Sequence, residues 1–252
     1  MLKIENTEVT GWEAAIRGMR NPMNSWAKSD SAWHPTENTF DEDDTPITIA
    51  SGFRVGPNDL DLMKRLAKAG STDAKYRRMI NVTADVTAPL YWWKEYDTYK
   101  VGTVANSCST MHKIQAKEFT FDDFSHEHLF YFPRDGSEID LDDQEVRDAY
   151  CSVHIQGTNA VFSPEGALEL TINMLNRARY LFLKTKDKQY WWQMIQLLPS
   201  SYNQRRTIQL NYEVLAAIYP KRKNHKLDCW HAFCDWIRSL PYSELITREE
   251  TE

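Results

Sequence analysis

One segment near the C-terminus restricts the possible folds of this 252-residue chain more than any other part of it. The segment covers residues 198–222 and reads LPSSYNQRRTIQLNYEVLAAIYPKR, which predicts a turn, a short strand over 207–210 and a helix. That compact unit carries Arg205, Asn211 and Arg222. Two guanidiniums and an amide suit a phosphate group and a flat heterocycle, because a guanidinium stays charged and binds phosphate through two parallel hydrogen bonds. The alternative interpretation is that both arginines are solvated surface residues, since arginine is mostly exposed in proteins.

The same segment resembles the C-terminal half of the flavin-dependent thymidylate synthases, the ThyX family. In that family a Leu-Pro pair precedes an Arg, then an Asn, then a Leu-Arg dipeptide. Here a Leu-Pro pair at 198–199 precedes Arg205, Asn211 and Arg222 in the same order, and Lys221 replaces the Leu of the dipeptide.

Residues 59–89 extend the resemblance toward the N-terminus. They resemble the helix–Gly–strand unit of the family, which also ends in Ala-Pro before a long helix, so the resemblance covers about residues 58–240. It implies an α+β fold, a helix-rich mixed α/β subunit that assembles as a homotetramer. We expect a single domain over residues 1–252, since a chain of this length can form one sizeable core. The polar and acidic residues 21–46 predict a mobile loop within that domain.

The signature motif of the family, Arg-His-Arg-x-x-Ser-x-Asn-Glu-x-Ser-x-Arg-Tyr, is degenerate in this chain, where the corresponding segment reads TYKVGTVANSCSTM. Lys100 keeps a cation and Thr103 keeps a hydroxyl, whereas Tyr99 replaces the His. Asn106 and Ser109 fit the Asn and the second Ser after a shift of one residue. We therefore expect the fold and half of the nucleotide pocket to be retained, and the flavin side to be rebuilt or lost.

The resemblance implies roles for residues of both segments. Those implied for substrate binding are Arg205, Arg222, Lys100 and Ser109, and those implied for cofactor binding are Asn211, Thr103 and Asn106. In the family a reduced flavin (FAD) supplies hydride and methylenetetrahydrofolate supplies the carbon, while the protein polarises and positions the uracil ring. Because this chemistry needs no protein nucleophile, no catalytic residue is assigned.

Three functions are open on the sequence. The first is a diverged flavin-dependent enzyme that binds a pyrimidine nucleotide of the uridine type and transfers a one-carbon unit or hydride at C5. The second is a catalytically inactive nucleotide-binding or assembly protein that keeps the fold without flavin, which the missing His and Arg of the signature favour. The third is a metal-dependent hydrolase built on His126, His128 and either Asp122 or Asp123, since alternate residues of a strand share a face. For the two histidines we favour a surface loop over a metal site, because no third ligand is evident beside them.

Composition narrows the partners and the compartment. A net charge of −6 disfavours a general affinity for nucleic-acid polymers. The four cysteines form no CxxC pair, which favours free thiols in a reducing cytoplasm. We interpret Cys108 as a small buried residue rather than a thiol that faces substrate. Neither a signal peptide nor a membrane span is expected.

Periodicity and capping residues predict the remaining elements. The alternation of Ile80, Val82, Ala84 and Val86 predicts a strand with one buried face. Helices are predicted from Asn58 as N-cap to Gly70, over 142–150, from Ser163 as N-cap to about 184, from Asp187 as N-cap to 198, and over 224–239. The aromatic clusters at 91–93 and 190–192 are expected in a core or a subunit interface.

Overall fold

The structure is a computed structural model that describes residues 2–40, 46–49, 51–129 and 164–248. Its strands are β1 (Lys3–Thr10), β2 (Ala32–His34), β3 (Glu37–Phe40), β4 (Pro46–Ile49), β5 (Gly52–Arg54), β6 (Asn81–Pro89), β7 (Val104–Ser107) and β8 (Asn203–Asn211). Its helices are α1 (Trp12–Arg20), α2 (Pro57–Ala69), α3 (Leu90–Tyr96), α4 (Thr110–Lys113), α5 (Pro164–Thr185), α6 (Lys188–Leu197), α7 (Tyr212–Arg222), α8 (Asp228–Ser239) and α9 (Glu244–Thr247). None of the helices in these ranges is both long and apolar enough to cross a membrane. The predicted α+β, helix-rich fold is confirmed.

A four-stranded sheet runs in the order β1–β6–β8–β7. Strand β6 follows the alternation of its sequence: Val82, Ala84, Val86 and Ala88 are all buried, and the residues between them are half-buried. Successive side chains of a strand point to opposite faces, so this pattern fixes which face of β6 packs on the core. The strand predicted from the alternation is therefore confirmed.

Two small antiparallel pairs follow α1 in the sequence. Strand β2 pairs with β5, with Trp33 opposite Phe53, and strand β3 pairs with β4, with Glu37 opposite Ile49. Much of the segment expected to be a mobile loop is thus regular structure, with 3-10 turns at Asn21–Met23 and Trp26–Lys28 before the strands. The acidic run at 41–44 lies outside the described residues, and the mobility of the loop stays a prediction.

The described residues cluster into two compact units. The first unit contains residues 87–96, 107–129 and 164–206, and the second contains residues 2–40, 46–49, 51–86, 97–106 and 207–248. The expectation of a single domain stays a prediction. The core of the first unit is built from α5, α6 and the segment 114–124 that follows α4. Its buried members are Ile114, Phe119, Phe124, Leu168, Ile172, Leu175, Ala178 and Met194.

The long helices of the first unit match the sequence pattern. Helix α5 ends at Thr185, one residue beyond the predicted end, and Asp187 caps α6 because its carboxylate accepts a hydrogen bond from the backbone N–H of Gln189 at 3.0 Å. Of the two aromatic clusters, the first places Trp92 and Trp93 in a fully buried position, whereas Trp192 in the second is 45% exposed. The predicted cap at residue 163 and the predicted helix over 142–150 lie outside the described residues.

Helix α2 of the second unit begins differently from the prediction. Its N-cap is Gly56, and the side chain of Asp30 accepts hydrogen bonds from the backbone N–H groups of Asn58 at 2.9 Å and Asp59 at 3.1 Å. The prediction that Asn58 is the N-cap is wrong, because a carboxylate 28 residues earlier takes that role. A Cβ at Gly56 would lie 2.3 Å from the carboxyl carbon of Asp30, so only glycine leaves room for this cap.

A buried ion pair joins α1 to α2. Asp59 is fully buried, and Arg20, which is 4% exposed, donates a hydrogen bond to it through Nε at 2.6 Å. The same carboxylate accepts hydrogen bonds from the hydroxyls of Ser29 (2.7 Å) and Ser31 (2.6 Å) and from the backbone N–H groups of Asp30 and Ser31. Burial acts to raise the pKa of Asp59, but the hydrogen bonds from Ser31, Ser29 and Arg20 outweigh it and hold the pKa below its usual value.

Helices α7 and α8 complete the second unit. Their inward faces are fully buried, with Tyr212, Leu215 and Ile218 on α7 and Trp230, Phe233 and Ile237 on α8. The helix predicted over 224–239 ends where expected but begins at Asp228, with Leu227 as its N-cap residue. Trp230 of α8, which is fully buried, contacts the candidate functional site described below.

Candidate functional site

The degenerate signature forms a tight turn in the second unit. Thr103 Oγ1 donates a hydrogen bond to the backbone carbonyl of Tyr99 at 2.5 Å, and Gly102 adopts a left-handed conformation with φ of 76°. A Cβ at Gly102 would lie 3.1 Å from Val214 Cγ2 and 3.4 Å from Asn211 Nδ2. Glycine is therefore required twice, for the backbone angle and for the close approach to the start of α7. The turn from 99 to 103 is thereby held against the N-terminus of α7.

Arg222, at the last turn of α7, packs against this same turn. Its Nε donates a hydrogen bond to the hydroxyl of Tyr99 at 2.8 Å. The centre of its guanidinium lies 4.4 Å from the ring centroid of Trp230 and 5.5 Å from that of Tyr99. These distances are those of cation–π contacts, which stabilise a charged group that is half-buried. Arg222 is thus an ordered residue with a defined orientation, and the interpretation of it as a solvated surface residue is wrong.

Asn211 begins the helix that Arg222 ends. Its Oδ1 accepts a hydrogen bond from the backbone N–H of Val214 at 3.0 Å, so it is the N-cap of α7. Its Nδ2 has no hydrogen-bond partner among the residues that the structure describes. The amide is therefore fixed by one end, and its donor group remains available beside Gly102.

Cations surround this part of the second unit. Lys100 follows Tyr99 directly and is exposed, and Lys221 and Lys223 flank Arg222 on exposed positions. Lys223 Nζ lies 5.6 Å from the ring centroid of Tyr219. Basic residues at the C-terminal turn of a helix also complement its dipole, which accounts for part of this arrangement without a ligand. The turn and the end of α7 nevertheless carry the positive charges of Lys100, Lys221, Arg222 and Lys223.

The remaining residues implied by the resemblance fall in different places. Asn106 lies on β7 in the second unit and is exposed. Arg205 and Ser109 belong to the first unit, where the backbone N–H of Cys108 donates to the carbonyl of Arg205 at 2.9 Å. The hydroxyl of Ser109 is the N-cap of α4 and accepts a hydrogen bond from His112 N at 3.0 Å. The structure therefore groups Lys100, Thr103, Asn106, Asn211 and Arg222 in one unit and Arg205 with Ser109 in the other.

Cys108 is exposed, so its interpretation as a small buried residue is wrong. It lies at the end of β7, where the carbonyl of Cys108 accepts a hydrogen bond from Gln204 Nε2 at 2.8 Å. These bonds to Gln204 and Arg205 satisfy both backbone polar groups of Cys108, while its side chain lies outside the core. A residue at the end of an exposed strand cannot be distinguished by sequence from one at the end of a buried strand.

In the first unit Arg206 makes a defined aromatic contact. Its guanidinium lies 4.2 Å from the ring centroid of Trp93, and its Nε donates to Gln204 Oε1 at 3.0 Å. The backbone carbonyl of Gln204 in turn accepts a hydrogen bond from the indole Nε1–H of Trp93 at 2.9 Å. Sequence reasoning missed Gln204 and Trp93, whose mutual contact spans 111 positions and leaves no local signal.

The histidine pair does not lie on a strand. His126 and His128 belong to an irregular, turning segment, and His126 Nδ1 lies 2.9 Å from the carbonyl oxygen of Phe124. Asp123 is engaged by Lys117 and by Thr120. Over the ranges that the structure describes, no group of three His, Cys, Asp or Glu residues could hold a metal ion. The strand geometry on which the metal-dependent hydrolase rested is therefore wrong.

The chain is similar to known proteins in structure and not in sequence. No protein-family model matches the chain, and no curated protein matches it in sequence. Among solved structures, the flavin-dependent thymidylate synthase ThyX from Helicobacter pylori, complexed with FAD and dUMP, is similar over 98% of both chains, with a TM-score of 0.59 and 14% identity. A second structure of that enzyme with FAD and dUMP gives 13% identity at the same coverage and TM-score. The UMP/dUMP methylase PolB from Streptomyces cacaoi, bound with 5-Br dUMP, is similar over 98% of this chain and 95% of that one, with a TM-score of 0.51 and 11% identity.

The chain has the fold of the flavin-dependent thymidylate synthases. That agreement confirms the fold that the resemblance implied from Leu198-Pro199, Arg205, Asn211 and Arg222. At these identities the similarity concerns the backbone alone, and the side chains of this chain determine what its site can bind.

Proposed function

We propose that this protein binds a pyrimidine nucleotide of the uridine type and, with a flavin, transfers a one-carbon unit or hydride at C5. The observation that supports the proposal is the turn from 99 to 103, which lies against α7. It groups two residues implied for substrate binding, Lys100 and Arg222, with two implied for the cofactor, Thr103 and Asn211. Two solved structures with the same fold hold FAD and dUMP, and a third is bound with 5-Br dUMP.

The nucleotide phosphate is proposed to bind Arg222 and Lys100. The orientation of Arg222 is fixed before any ligand binds, because Tyr99 and Trp230 hold its guanidinium. Fixing a side chain in advance lowers the entropy cost of binding. Arg205 and Ser109, which belong to the first unit, stay predicted substrate residues from the resemblance.

The residues implied for cofactor binding retain one hydrogen-bond donor that a flavin ring could use. Such a ring presents carbonyl oxygens and ring nitrogens as acceptors, and the Nδ2 donor of Asn211 is available to them. The residues proposed to hold FAD are Asn211, Thr103 and Asn106. A bound reduced flavin would supply the hydride, and the folate carbon donor stays part of the proposal. The protein's own task is to position the uracil ring, for which no catalytic side chain is assigned.

A second candidate function is nucleotide binding without flavin. It is favoured by the position of Tyr99, which stands where the family has His and whose hydroxyl accepts a hydrogen bond from Arg222. The hydroxyl of Thr103 is likewise engaged, by the carbonyl of Tyr99. These contacts build a stable turn from residues that the family uses for ligands. The homotetramer and the cytoplasmic location stay predictions.

The test is the Kd for dUMP of the Arg222→Ala variant, measured by calorimetry. We expect binding to weaken by about 1.5–3 kcal/mol, the free energy of a charge-assisted hydrogen bond, or about 12- to 160-fold. Arg65→Ala is the matched control, because Arg65 is exposed on α2 and is expected to leave Kd unchanged. Melting curves of both variants show whether the fold survives. An unchanged Kd in a folded Arg222→Ala variant contradicts the assignment.

A further inference from the structure

A cavity lined by none of the residues of the candidate site lies within the second unit. It has a volume of about 640 Å³ and is lined by the end of β1, the start of α1, strands β2 and β5, and residues 236–242. Pockets of roughly 300–1,000 Å³ are the size that holds small molecules. Neither the nucleotide nor the flavin of the proposed function is assigned to this cavity. The proposed function therefore does not account for the residues that line this cavity.

Five aromatic side chains line this cavity: Trp12, Trp33, Phe53, Trp236 and Tyr242. Trp12 and Tyr242 meet edge to face, with centroids 5.2 Å apart and an interplanar angle of 70°. Trp33 and Phe53 meet in the same way at 5.9 Å and 71°. Each pair thus forms a corner of two non-parallel ring faces. Ring faces that meet at an angle suit a rounded group better than a flat heterocycle, which stacks parallel to a ring face.

The indoles are oriented by polar contacts at their edges. The Nε1 of Trp33 donates to Glu13 Oε1 at 2.6 Å, and the Nε1 of Trp236 donates to Thr7 Oγ1 at 3.0 Å. Trp33 is 64% exposed, so burial does not hold it in place. Exposed aromatic surface that lines a cavity of this size favours a binding site.

The charge of the lining selects the kind of ligand. Among the described residues that line the cavity, Glu13 is the one that carries a charge, and it is negative. The faces of aromatic rings are also negative, so walls and carboxylate attract a cation together. We propose that this cavity binds a small organic cation with an alkylated ammonium group.

The proposal is tested by titrating the full-length protein with choline and with its uncharged carbon isostere, 3,3-dimethylbutan-1-ol. The readouts are calorimetry and tryptophan fluorescence, with sodium chloride added to equalise ionic strength. We expect choline to bind at least about tenfold more tightly than the isostere, since the two differ in charge and hardly in shape. Equal affinities for the two compounds, or no binding of choline, overturn the proposal.

Two variants locate the site. Trp33→Ala is expected to weaken choline binding by about 5- to 30-fold, the range for one lost cation–π contact, and Glu13→Gln by about tenfold. The matched controls are Trp26→Ala, an exposed tryptophan away from the cavity, and Glu8→Gln, an exposed acid of β1. Circular dichroism identifies a variant that fails to fold, and Glu13→Gln then decides alone. Unchanged choline affinity in a folded variant of either residue overturns the proposal.

Discussion

Replacing Asp59 by Asn tests how the second unit is held together. The carboxylate is fully buried and accepts hydrogen bonds from Arg20, from two serine hydroxyls and from two backbone N–H groups. Asn keeps the size of the side chain but removes the charge and turns an NH2 group toward donors. Arg20, only 4% exposed, is then a buried cation without its counter-ion.

The expected loss follows from that uncompensated charge. Removing one partner of a buried ion pair costs about 3–5 kcal/mol, and for a chain of this length each kcal/mol lowers Tm by about 2–4 °C. Asp59→Asn should therefore lower the free energy of unfolding by about 3–5 kcal/mol and Tm by about 6–20 °C. Urea denaturation measures the first quantity and thermal denaturation the second.

The same helix provides the control. Asp61 forms an ion pair with Arg65 at 2.9 Å, and both side chains are 67% exposed. Because exposed pairs contribute little, Asp61→Asn should change the free energy of unfolding by no more than about 0.5 kcal/mol. A double variant, Arg20→Met with Asp59→Asn, should recover part of the stability that Asp59→Asn loses, since it removes the buried cation that lost its partner and keeps an amide oxygen for the other donors.

Acid should remove the contribution of Asp59. Its pKa is lower in the folded state than in the unfolded chain, so the stabilisation is present above the unfolded pKa of about 3.9 and is lost as pH falls through the folded pKa. The gap between the wild type and Asp59→Asn should accordingly narrow below about pH 4. Equal losses for Asp59→Asn and Asp61→Asn, or a gap that does not depend on pH, would refute the reasoning.

Three further changes test the candidate site and its surroundings. Gly102→Ala should cost about 1–2 kcal/mol in the free energy of unfolding because residue 102 is left-handed, while Gly52→Ala, which meets no atom within 4 Å, should be neutral. Tyr99→Phe should cost about 0.5–1.5 kcal/mol by removing the hydroxyl that Arg222 donates to, and a stability equal to the wild type would contradict that contact. Cys108 should be alkylated at neutral pH before Cys229 and Cys234, as peptide mapping by mass spectrometry can show, because Cys108 is exposed while the other two described thiols are buried and burial raises the pKa of Cys234 to about 11.

Local patterns in the sequence predict local structure well. The alternation through Val82, Ala84 and Val86 predicts β6 because a strand exposes its faces with a period of two. Asp187 predicts the start of α6 because a cap bonds to backbone groups within three residues. In both cases the determining contacts lie inside the element itself.

Contacts between distant residues are what the sequence does not reveal. The cap of α2 comes from Asp30, the partner of Arg20 lies 39 residues away, and Tyr99 reaches Arg222 across 123 positions. The exposure of Cys108 depends likewise on how β7 is covered. The spacing of charged residues in the sequence indicates which ones could form the candidate site. Tertiary structure determines which of them, like Arg222, are oriented by contacts with other residues of the chain.

The aromatic cavity shows the same limit. Trp12, Trp33 and Trp236 come from three separate stretches, and in the sequence they are merely part of an unusually high number of tryptophans. Only the fold brings them around one space beside Glu13.

The most direct test of the central claim is an absorbance spectrum of the purified protein with FAD, recorded before and after dUMP is added. A uridine nucleotide and a flavin that share one site should perturb each other, so we predict flavin bands that shift on binding to the protein and shift again with dUMP. Binding of dUMP without uptake of FAD would establish the second candidate function, nucleotide binding alone. A protein that takes up neither FAD nor dUMP would contradict the account.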